Sequence, residues 1–254
     1  MADQYLQARV ASIMALGDDA LVLGQRIGEW CGHAPTVELD LSLANLGLDL
    51  IGQATLFLNY AGELEGEGRD GDALAFRRDV YDFRNCLLVE QPNGDFGRTI
   101  VRQLLFSTYQ KLLFEGLTHS SDPRLAEIAA KAVKEVSYHE RLAADWVMRL
   151  GDGTEESHRR VEDGLAWNWR FVDELFATDL TERPLIDAGL LVDRASLRAP
   201  WDTAVGQVLS EAKLEVPPAV RGVIGGRIGR HSEHLGHMLS EMQFLQRAYP
   251  GASW

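Results

Sequence analysis

The sequence predicts an all-α fold in which long amphipathic helices form a bundle. Apolar residues recur at steps of three and four along nearly the whole chain, whereas strict alternation is almost absent. The connections among the first four long helices are short, which favours antiparallel neighbours. The chain has 254 residues, of which 46% are hydrophobic, so it can bury a large core. Because no internal repeat interrupts the pattern, we predict a single domain over residues 1–254.

A break at residues 32–35 (GHAP) separates the first two long helices. The first helix runs from Gln4 to about Cys31, and it ends there because Gly32 suits a C-terminal cap and Pro35 disfavours helix at the residue before it. The second helix carries an apolar stripe spaced for burial on one face. The members of this stripe are Leu43, Leu46, Leu50, Ala54, Phe57, Ala61 and Leu64.

Turn-forming residues separate the elements in the middle of the chain. A shorter helix over Asp72 to Asn85 follows the polar turn EGEGRDGD. The segment LLVEQPNGDF then combines an apolar run with Pro-Asn-Gly turn chemistry. A third long helix is predicted from about Phe96 to Thr118.

The fourth long helix has a clear start signal. Asp122 is placed as its N-cap and Pro123 as its first helical residue, and GDGT at residues 151–154 ends it. Three further helices are predicted over Glu155 to Thr178, Trp201 to Leu214 and, after the Pro217-Pro218 break, about Ile228 to Tyr249.

The charge balance excludes two classes of partner. The formal net charge is −13 and the pI about 5.0, so a nucleic-acid backbone or an anionic membrane surface would be repelled at long range. The cysteines, Cys31 and Cys86, are too few for a disulfide framework and lack zinc-type spacing. The first residues lack the apolar core of a signal peptide, and no uncharged apolar run approaches the roughly 18 residues of a membrane span. We therefore expect a cytoplasmic protein with no nucleic-acid or membrane partner.

The segment KEVSYHERL in the fourth helix nearly matches a metal-binding motif. Helical bundles that bind two iron ions use Glu-x-x-His, because a carboxylate and an imidazole at this spacing project toward the same ion. Glu135 lies four residues before His139 rather than three. The residue three positions before His139 is Val136, which has no lone pair to donate. The frame that starts at Glu135 places Tyr138 where the imidazole belongs. Either frame lacks one ligand.

The other helices offer few further ligands. The third helix contains no Asp or Glu from Phe96 through Phe114, and the second helix offers Asp49 but has Gly52 at the position of the matching imidazole. A di-iron site needs about four carboxylates and two histidines. No Gly-x-Ser-x-Gly elbow or Cys-His pairing indicates nucleophilic catalysis. We predict a metal-free bundle core, with no catalytic residue and no cofactor in this chain.

The plausible ligands also have a structural interpretation. A histidine on an apolar stripe is usually a core side chain with a hydrogen-bonded neighbour, which is the interpretation we favour for His139. Glu135, Asp49 and Gln53 lie at the edges of buried stripes. They would then form a polar network in which an arginine or lysine replaces the cation.

Two C-terminal motifs have competing interpretations. HSEHLGH places His231, His234 and His237 at successive steps of three on one helical face, which permits a surface ion. Adventitious binding by exposed histidines is the favoured explanation of that spacing. RGVIGGRIGR, residues 221–230, could hold an anion at a helix N-terminus. Since phosphate-loop spacing is absent, its glycines instead indicate close packing or a flexible entry to the helix.

Five blocks of sequence share one resemblance. They are ALVLGQRIGEWCGHAP (20–35), LANLGLDLIGQA (43–54), LLVEQPNGDF (87–96), KAVKEVSYHERL (131–142) and HSEHLGHMLSEMQFLQR (231–247). Taken in order across nearly the whole chain, they resemble the C-subunit family of the bacterial phenylacetyl-CoA epoxidase. The resemblance implies a ferritin-like four-helix bundle with additional C-terminal helices, within a multicomponent monooxygenase of phenylacetate catabolism.

The resemblance also implies a division of labour. A homologous A subunit would carry the di-iron centre and convert phenylacetyl-CoA to its ring epoxide, while a reductase component supplies electrons from NADPH. The C subunit would pair with the A subunit as a non-catalytic structural chain. The metal positions abandoned in this sequence would be Gln25, Asp49, Gly52, Ser107 or Thr108, Val136 and His139, with Glu135 beside them.

Two other hypotheses compete with that of a structural subunit. The chain could itself be a di-iron oxygenase subunit, or it could be a separate iron-storage protein. Both require a carboxylate in the third helix, which the sequence lacks between Phe96 and Phe114. Without its partner subunit, the chain could also form a homo-oligomer.

Overall fold

The computed structural model describes residues 2–218 and 221–252. Over these residues the chain is helical and contains no strand, so the predicted all-α class is confirmed, and the arrangement is consistent with a ferritin-like helical fold. The α-helices are α1 (Ala2–Gly28), α2 (Val37–Glu65), α3 (Gly71–Phe76), α4 (Leu87–Glu90), α5 (Phe96–Leu117), α6 (Pro123–Gly151), α7 (Glu155–Trp169), α8 (Arg183–Asp187), α9 (Arg198–Glu211), α10 (Glu233–Met242) and α11 (Phe244–Ala248). Short 3-10 helices are Val80–Asp82, Val172–Phe176, Leu180–Glu182, Arg194–Leu197 and Gly226–Ile228.

The helices group into two compact units. The first unit consists of residues 1–92 and 224–254, and the second of residues 93–223. The first therefore contains α1 to α4 together with α10 and α11, and the second contains α5 to α9. A single domain over residues 1–254 stays a prediction.

In the first unit, α1 and α2 form a closely packed antiparallel pair. Gly17 lies against Leu58, and Gly24 lies against Ile51, so the contacts advance along one helix while they retreat along the other. A Cβ atom at Gly17 would lie 2.7 Å from a methyl carbon of Leu58. Protein cores are close-packed, so a larger side chain there would push the two helices apart.

The long helices begin at residues that cap them. The Thr36 hydroxyl oxygen accepts the Leu39 N–H at 3.3 Å at the start of α2. The Asp95 carboxylate accepts the Arg98 N–H at 2.9 Å at the start of α5. Asp122 caps α6 and is followed by a proline, as the sequence predicts. Each cap satisfies backbone donors that the first helical turn leaves without a partner.

In the second unit, α5 and α6 pair in antiparallel fashion and α9 completes their core. Phe96 at the start of α5 meets Trp146 near the end of α6, with ring centroids 5.6 Å apart. The indole N–H of Trp201 in α9 donates to the carbonyl oxygen of Leu105 at 2.9 Å. The Trp201 ring also contacts Phe176, 5.4 Å away between centroids. Helix α9 and the 3-10 helix Val172–Phe176 are therefore part of the hydrophobic core of this unit.

Three predicted helices are longer than the helices of the structure. The helix predicted over Asp72 to Asn85 ends at Phe76, as α3. The predicted fifth helix ends at Trp169, and a 3-10 helix over Val172–Phe176 carries Phe176 onto the Trp201 ring. The predicted last helix begins only at Glu233 and is interrupted at Gln243. The helical pattern breaks before Glu233, because Gly229 has a φ of 76°, in the left-handed region.

One helix within the described residues is long and apolar enough to cross a membrane when judged by length and composition. It is α2, and 44% of its most apolar window is buried inside the protein. A core helix of a soluble protein meets the same criteria, so the finding is weak evidence for a span.

Candidate functional site

Two adjacent aspartates lie buried in the middle of α1, within the apolar stretch MALGDDALVLG. Asp18 receives two hydrogen bonds from the guanidinium of Arg78, and its Oδ2 lies 3.0 Å from Nη1. The same Oδ2 accepts the backbone N–H of Arg84 at 2.8 Å. Both side chains of this ion pair are almost completely buried, so the charges are compensated inside the protein rather than by solvent.

Asp19 pairs with a different arginine from the C-terminal part of the chain. Its Oδ2 lies 2.6 Å from Nη2 of Arg227, and its Oδ1 accepts the Cys86 N–H at 2.7 Å. Burial raises the pKa of the Asp19 carboxyl above its usual 3.8, and the Arg227 guanidinium and the Cys86 N–H offset part of that rise. The side chain thus depends on these two partners to stay charged.

Glu90 and His231 form a third buried pair. Nδ1 of His231 lies 2.7 Å from Oε2 of Glu90, and Nε2 lies 3.0 Å from the carbonyl oxygen of Phe83. Both neighbours of the ring are acceptors, which favours the doubly protonated imidazolium. Burial lowers the pKa of His231, but the hydrogen bond and charge of Glu90, supported by Phe83 and Asp18, raise it above its usual 6.5.

The remaining acceptor capacity of Glu90 is also used. Oε1 accepts the backbone N–H of Ser232 at 2.6 Å, and Oε2 accepts the side-chain amide of Asn85 at 2.9 Å. The guanidinium of Arg26 binds the carbonyl oxygens of Glu90 and His234, at 2.9 and 3.2 Å from Nη2. Residues 231–234 are thereby attached to both α1 and α4.

We call Asp18, Asp19, Arg78, Glu90, Arg227 and His231 the buried charge network. Each of its three carboxylates faces one cationic or cation-forming side chain within the first unit. A nucleophile or general base would need a free lone pair directed into a cleft, and these groups are instead directed at one another. The arrangement is suited to fixing the C-terminal segment, because guanidinium and imidazole groups neutralise the buried carboxylates.

A groove of about 510 Å³ lies beside α10 and α11. Leu239 and Phe244 contribute apolar surface, and Gln243 donates from its amide to backbone carbonyls of the same unit. The charged groups in its lining, Asp79 and Arg247, bind each other at 2.8 Å. The groove therefore offers no acid–base pair that is free for catalysis.

The predicted metal positions fall in both units. In the first, Gln25 and Asp49 are half-buried on α1 and α2, and Gly52 has open space where a side chain would start. In the second, Val136 and His139 are buried on α6, and Glu135 is half-buried.

The donor chemistry at these positions does not fit a di-iron centre. Gly52 and Val136 carry no ligand atom. The Ser107 hydroxyl oxygen already accepts the side-chain amide of Gln103 at 2.6 Å, and the Thr108 hydroxyl donates to the carbonyl oxygen of Leu104 at 2.9 Å. Across residues 2–218 and 221–252, no group of three or more His, Cys, Asp or Glu is placed to hold a metal ion. That the core is metal-free, and that Glu135, Asp49 and Gln53 share a polar network, stay predictions.

The helical face suggested by the spacing of His231, His234 and His237 does not include His231. That residue precedes α10, and its side chain is buried against Glu90 rather than exposed on a helical face. His234 is half-buried and His237 is exposed. The spacing suggested one face because the last helix was predicted to begin about five residues too early.

The glycines of residues 221–230 serve close packing, which confirms the favoured interpretation of that motif. A Cβ atom at Gly226 would lie 2.1 Å from the carbonyl oxygen of Asn85. This close approach brings Arg227 to Asp19, so the guanidinium of Arg227 is paired with a carboxylate of the chain. Sequence spacing alone does not reveal this role, although two adjacent acids inside an apolar helix require buried partners.

Comparison with known proteins gives two matches. The chain matches the family described as "Phenylacetic acid catabolic protein" over residues 1–254. It is also similar to the C subunit of the 1,2-phenylacetyl-CoA epoxidase of Escherichia coli (strain K12), with 51% identity over 244 residues, covering 96% of this chain and 98% of the relative.

Proposed function

Because the chain belongs to the family of phenylacetic acid catabolic proteins, we propose that it is the non-catalytic structural subunit of a cytoplasmic phenylacetyl-CoA epoxidase. It pairs with a homologous catalytic A subunit. That partner holds the di-iron centre and forms the ring epoxide, and a reductase component delivers electrons from NADPH. The similarity to the C subunit of the Escherichia coli epoxidase, over almost all of both chains, supports this role.

The observation that carries the non-catalytic part of the proposal is the missing ligand set. A di-iron bundle takes carboxylates from several helices. Here α5 has no Asp or Glu between Phe96 and Phe114, and Val136 occupies the position of the carboxylate that should precede His139. A single imidazole with two or three scattered carboxylates would leave two cations largely without ligands.

The buried charge network supports the structural part of the proposal. In a chain that binds no metal ion, arginine and histidine side chains can neutralise the buried carboxylates. The pairs Asp18–Arg78 and Asp19–Arg227 do this across long sequence separations, and they link distant parts of the first unit through side chains alone. Such a unit presents a stable surface to a partner.

The competing function is that of a di-iron oxygenase subunit that acts by itself. It would require strong ligands where this chain has Gly52 and Val136. We therefore favour the structural subunit.

Co-expression tests the proposal directly. The chain and the A subunit, both without affinity tags, are purified alone and together, and iron content and epoxide formation are measured for each sample. We expect the chain alone to contain far less than one iron and to be inactive, and the pair to be active with iron in the A subunit. Two irons in the chain alone, with oxygen-dependent turnover, would contradict the proposal.

A matched variant sharpens the experiment. His139→Gln removes the one imidazole on α6, and it should leave the iron content of the pair unchanged and its kcat within about twofold of the wild type. A loss of half of the iron of the pair would show that His139 is a working ligand.

A further inference from the structure

A stripe of apolar side chains on α2 is exposed to solvent. Val37, Leu41 and Leu48 are 73%, 63% and 69% exposed, and Ala44 between them is half-buried. We call these four residues the α2 stripe. An exposed leucine is common on protein surfaces, but a continuous row of apolar residues along one helix usually marks an interaction site.

The opposite face of α2 already packs inside the first unit. Leu39, Leu43, Leu46 and Leu50 are buried there, and Leu50 contributes to the contact with α1 at Gly24. The α2 stripe is thus a second apolar face, and it explains why less than half of the most apolar window of this helix is buried in the chain. The core of this unit does not need it.

The spacing of the α2 stripe matches a second helix. Its residues follow one another at steps of four, three and four, which is the alternation of positions a and d in a helix–helix seam. From Val37 to Leu48 the stripe extends about 17 Å at 1.5 Å per residue. The small side chain of Ala44, and open space at Gly52 on the flank, leave room for larger side chains of a partner helix.

The charges of α2 distinguish between candidate partners. The helix contains five acidic residues, Glu38, Asp40, Asp49, Glu63 and Glu65, and no lysine or arginine. Two copies of α2 packed against each other would bring like charges together, which opposes pairing. A partner helix with basic residues beside its apolar seam is complementary. An antiparallel partner would place basic residues of its last turn near Glu38 and Asp40, where its own helix dipole also favours them.

We propose that the α2 stripe is the docking site for an amphipathic helix of the A subunit, with an apolar seam flanked by lysine or arginine. This inference rests on the proposed function, because the proposed function supplies the A subunit as the partner. A second copy of this chain and a lipid surface are the other candidate occupants, and the experiment separates them.

The test compares variants that change exposed side chains. Leu41→Gln combined with Leu48→Gln removes the centre of the α2 stripe, and Leu180→Gln is the control, since Leu180 is 90% exposed in the second unit. Binding to the purified A subunit is measured by calorimetry. We expect the double variant to bind at least about 100-fold more weakly and the control to bind as the wild type does, with unchanged circular dichroism for all.

A charge variant tests whether the acidic residues of α2 contribute to binding of a basic partner helix. Glu38→Lys with Asp40→Lys should weaken binding about tenfold at low salt, and the loss should shrink at high salt. The matched control is Glu127→Lys with Glu162→Lys, which makes the same charge change at exposed positions of α6 and α7.

Each outcome separates the hypotheses. If the wild type fails to bind the A subunit, the proposed function fails together with this inference. If the wild type binds and the Leu41/Leu48 variant binds equally well, only the α2 inference fails. If the wild type alone sediments as a dimer and the Leu41/Leu48 variant sediments as a monomer, the stripe binds a second copy of the chain. If the wild type binds phosphatidylcholine–phosphatidylglycerol vesicles and the variant does not, the stripe binds lipid.

Discussion

His231 and Glu90 lie 141 positions apart in the sequence, yet their side chains form a fully buried pair with 2.7 Å between Nδ1 and Oε2. The pair attaches the segment before α10 to the short helix α4. Asp19 and Arg227 make a second attachment between the same C-terminal region and α1. The C-terminal segment is therefore an integral part of the first unit.

Replacing His231 should destabilise the protein in a pH-dependent way. His231→Gln leaves the Glu90 carboxylate buried without its cationic partner, which costs about 3–5 kcal/mol when such a pair is broken. The pKa of His231 is raised in the folded chain above its usual 6.5, so the contribution of the pair is fully present below about pH 6.5 and is lost as the pH rises through the folded pKa. Urea titrations from pH 5.5 to pH 9 measure this difference.

Two further charged side chains act on the His231–Glu90 pair. Asp18 also raises the pKa of His231, while Arg26 binds the carbonyl oxygen of Glu90. His237→Gln changes an exposed histidine on α10 and should leave the stability nearly unchanged. A stability difference between wild type and His231→Gln that stays constant with pH would contradict the imidazolium assignment.

Arg78→Met should be far more damaging than the same substitution on the surface. It leaves Asp18 buried without its cation, and we expect a loss of about 3–5 kcal/mol in the free energy of unfolding. Arg159→Met is the control, because Arg159 is more than half exposed and its pairs with Glu156 and Asp163 lie in solvent. It should cost less than about 1 kcal/mol. Equal losses for the two variants in urea titration would contradict a structural role for the buried pair.

Local signals allowed much of the helical framework to be predicted from the sequence. The start of α6 was predicted correctly because Asp122 with Pro123 determines a helix N-terminus within a few residues. The start and the continuity of the last helix were not predicted correctly, since Gly229 and Gln243 interrupt an apolar periodicity that is otherwise continuous. Periodicity reports which residues are apolar, and it does not report where the backbone leaves the helix.

The buried charge network could not be assembled from the sequence for a different reason. Asp18 and Arg78 are 60 positions apart, and Asp19 and Arg227 are 208 apart, so no local pattern connects the partners. The sequence shows only that two adjacent acids in an apolar helix need cations. Which arginines supply them depends on the long-range packing of the segments that carry Arg78 and Arg227.

Gly226→Ala should destabilise the protein, whereas Gly206→Ala should stabilise it. The added Cβ at position 226 would lie 2.1 Å from the carbonyl oxygen of Asn85, so the backbone must move, at a cost of about 1–3 kcal/mol. Gly206 lies inside α9 with open space around it, and alanine there should add up to about 1 kcal/mol because it restricts the unfolded chain and favours helix. Thermal unfolding followed by circular dichroism measures both. A Gly226→Ala variant with unchanged stability would show that Gly226 lies less tightly against the carbonyl oxygen of Asn85 than the structure indicates.

Trp201→Phe tests how α9 is held in the core of the second unit. The substitution keeps an aromatic ring against Phe176 but removes the N–H that donates to the carbonyl oxygen of Leu105, and it leaves unfilled volume. We expect a loss of about 1–3 kcal/mol in the free energy of unfolding, from the lost hydrogen bond and the cavity together. Trp146→Phe is the control, since Trp146 is half-buried and meets Phe96 edge-on, and it should cost about 1 kcal/mol or less. Urea titration of the two variants gives the comparison, and a larger loss for Trp146→Phe would place the tighter aromatic packing at the α5–α6 end rather than at α9.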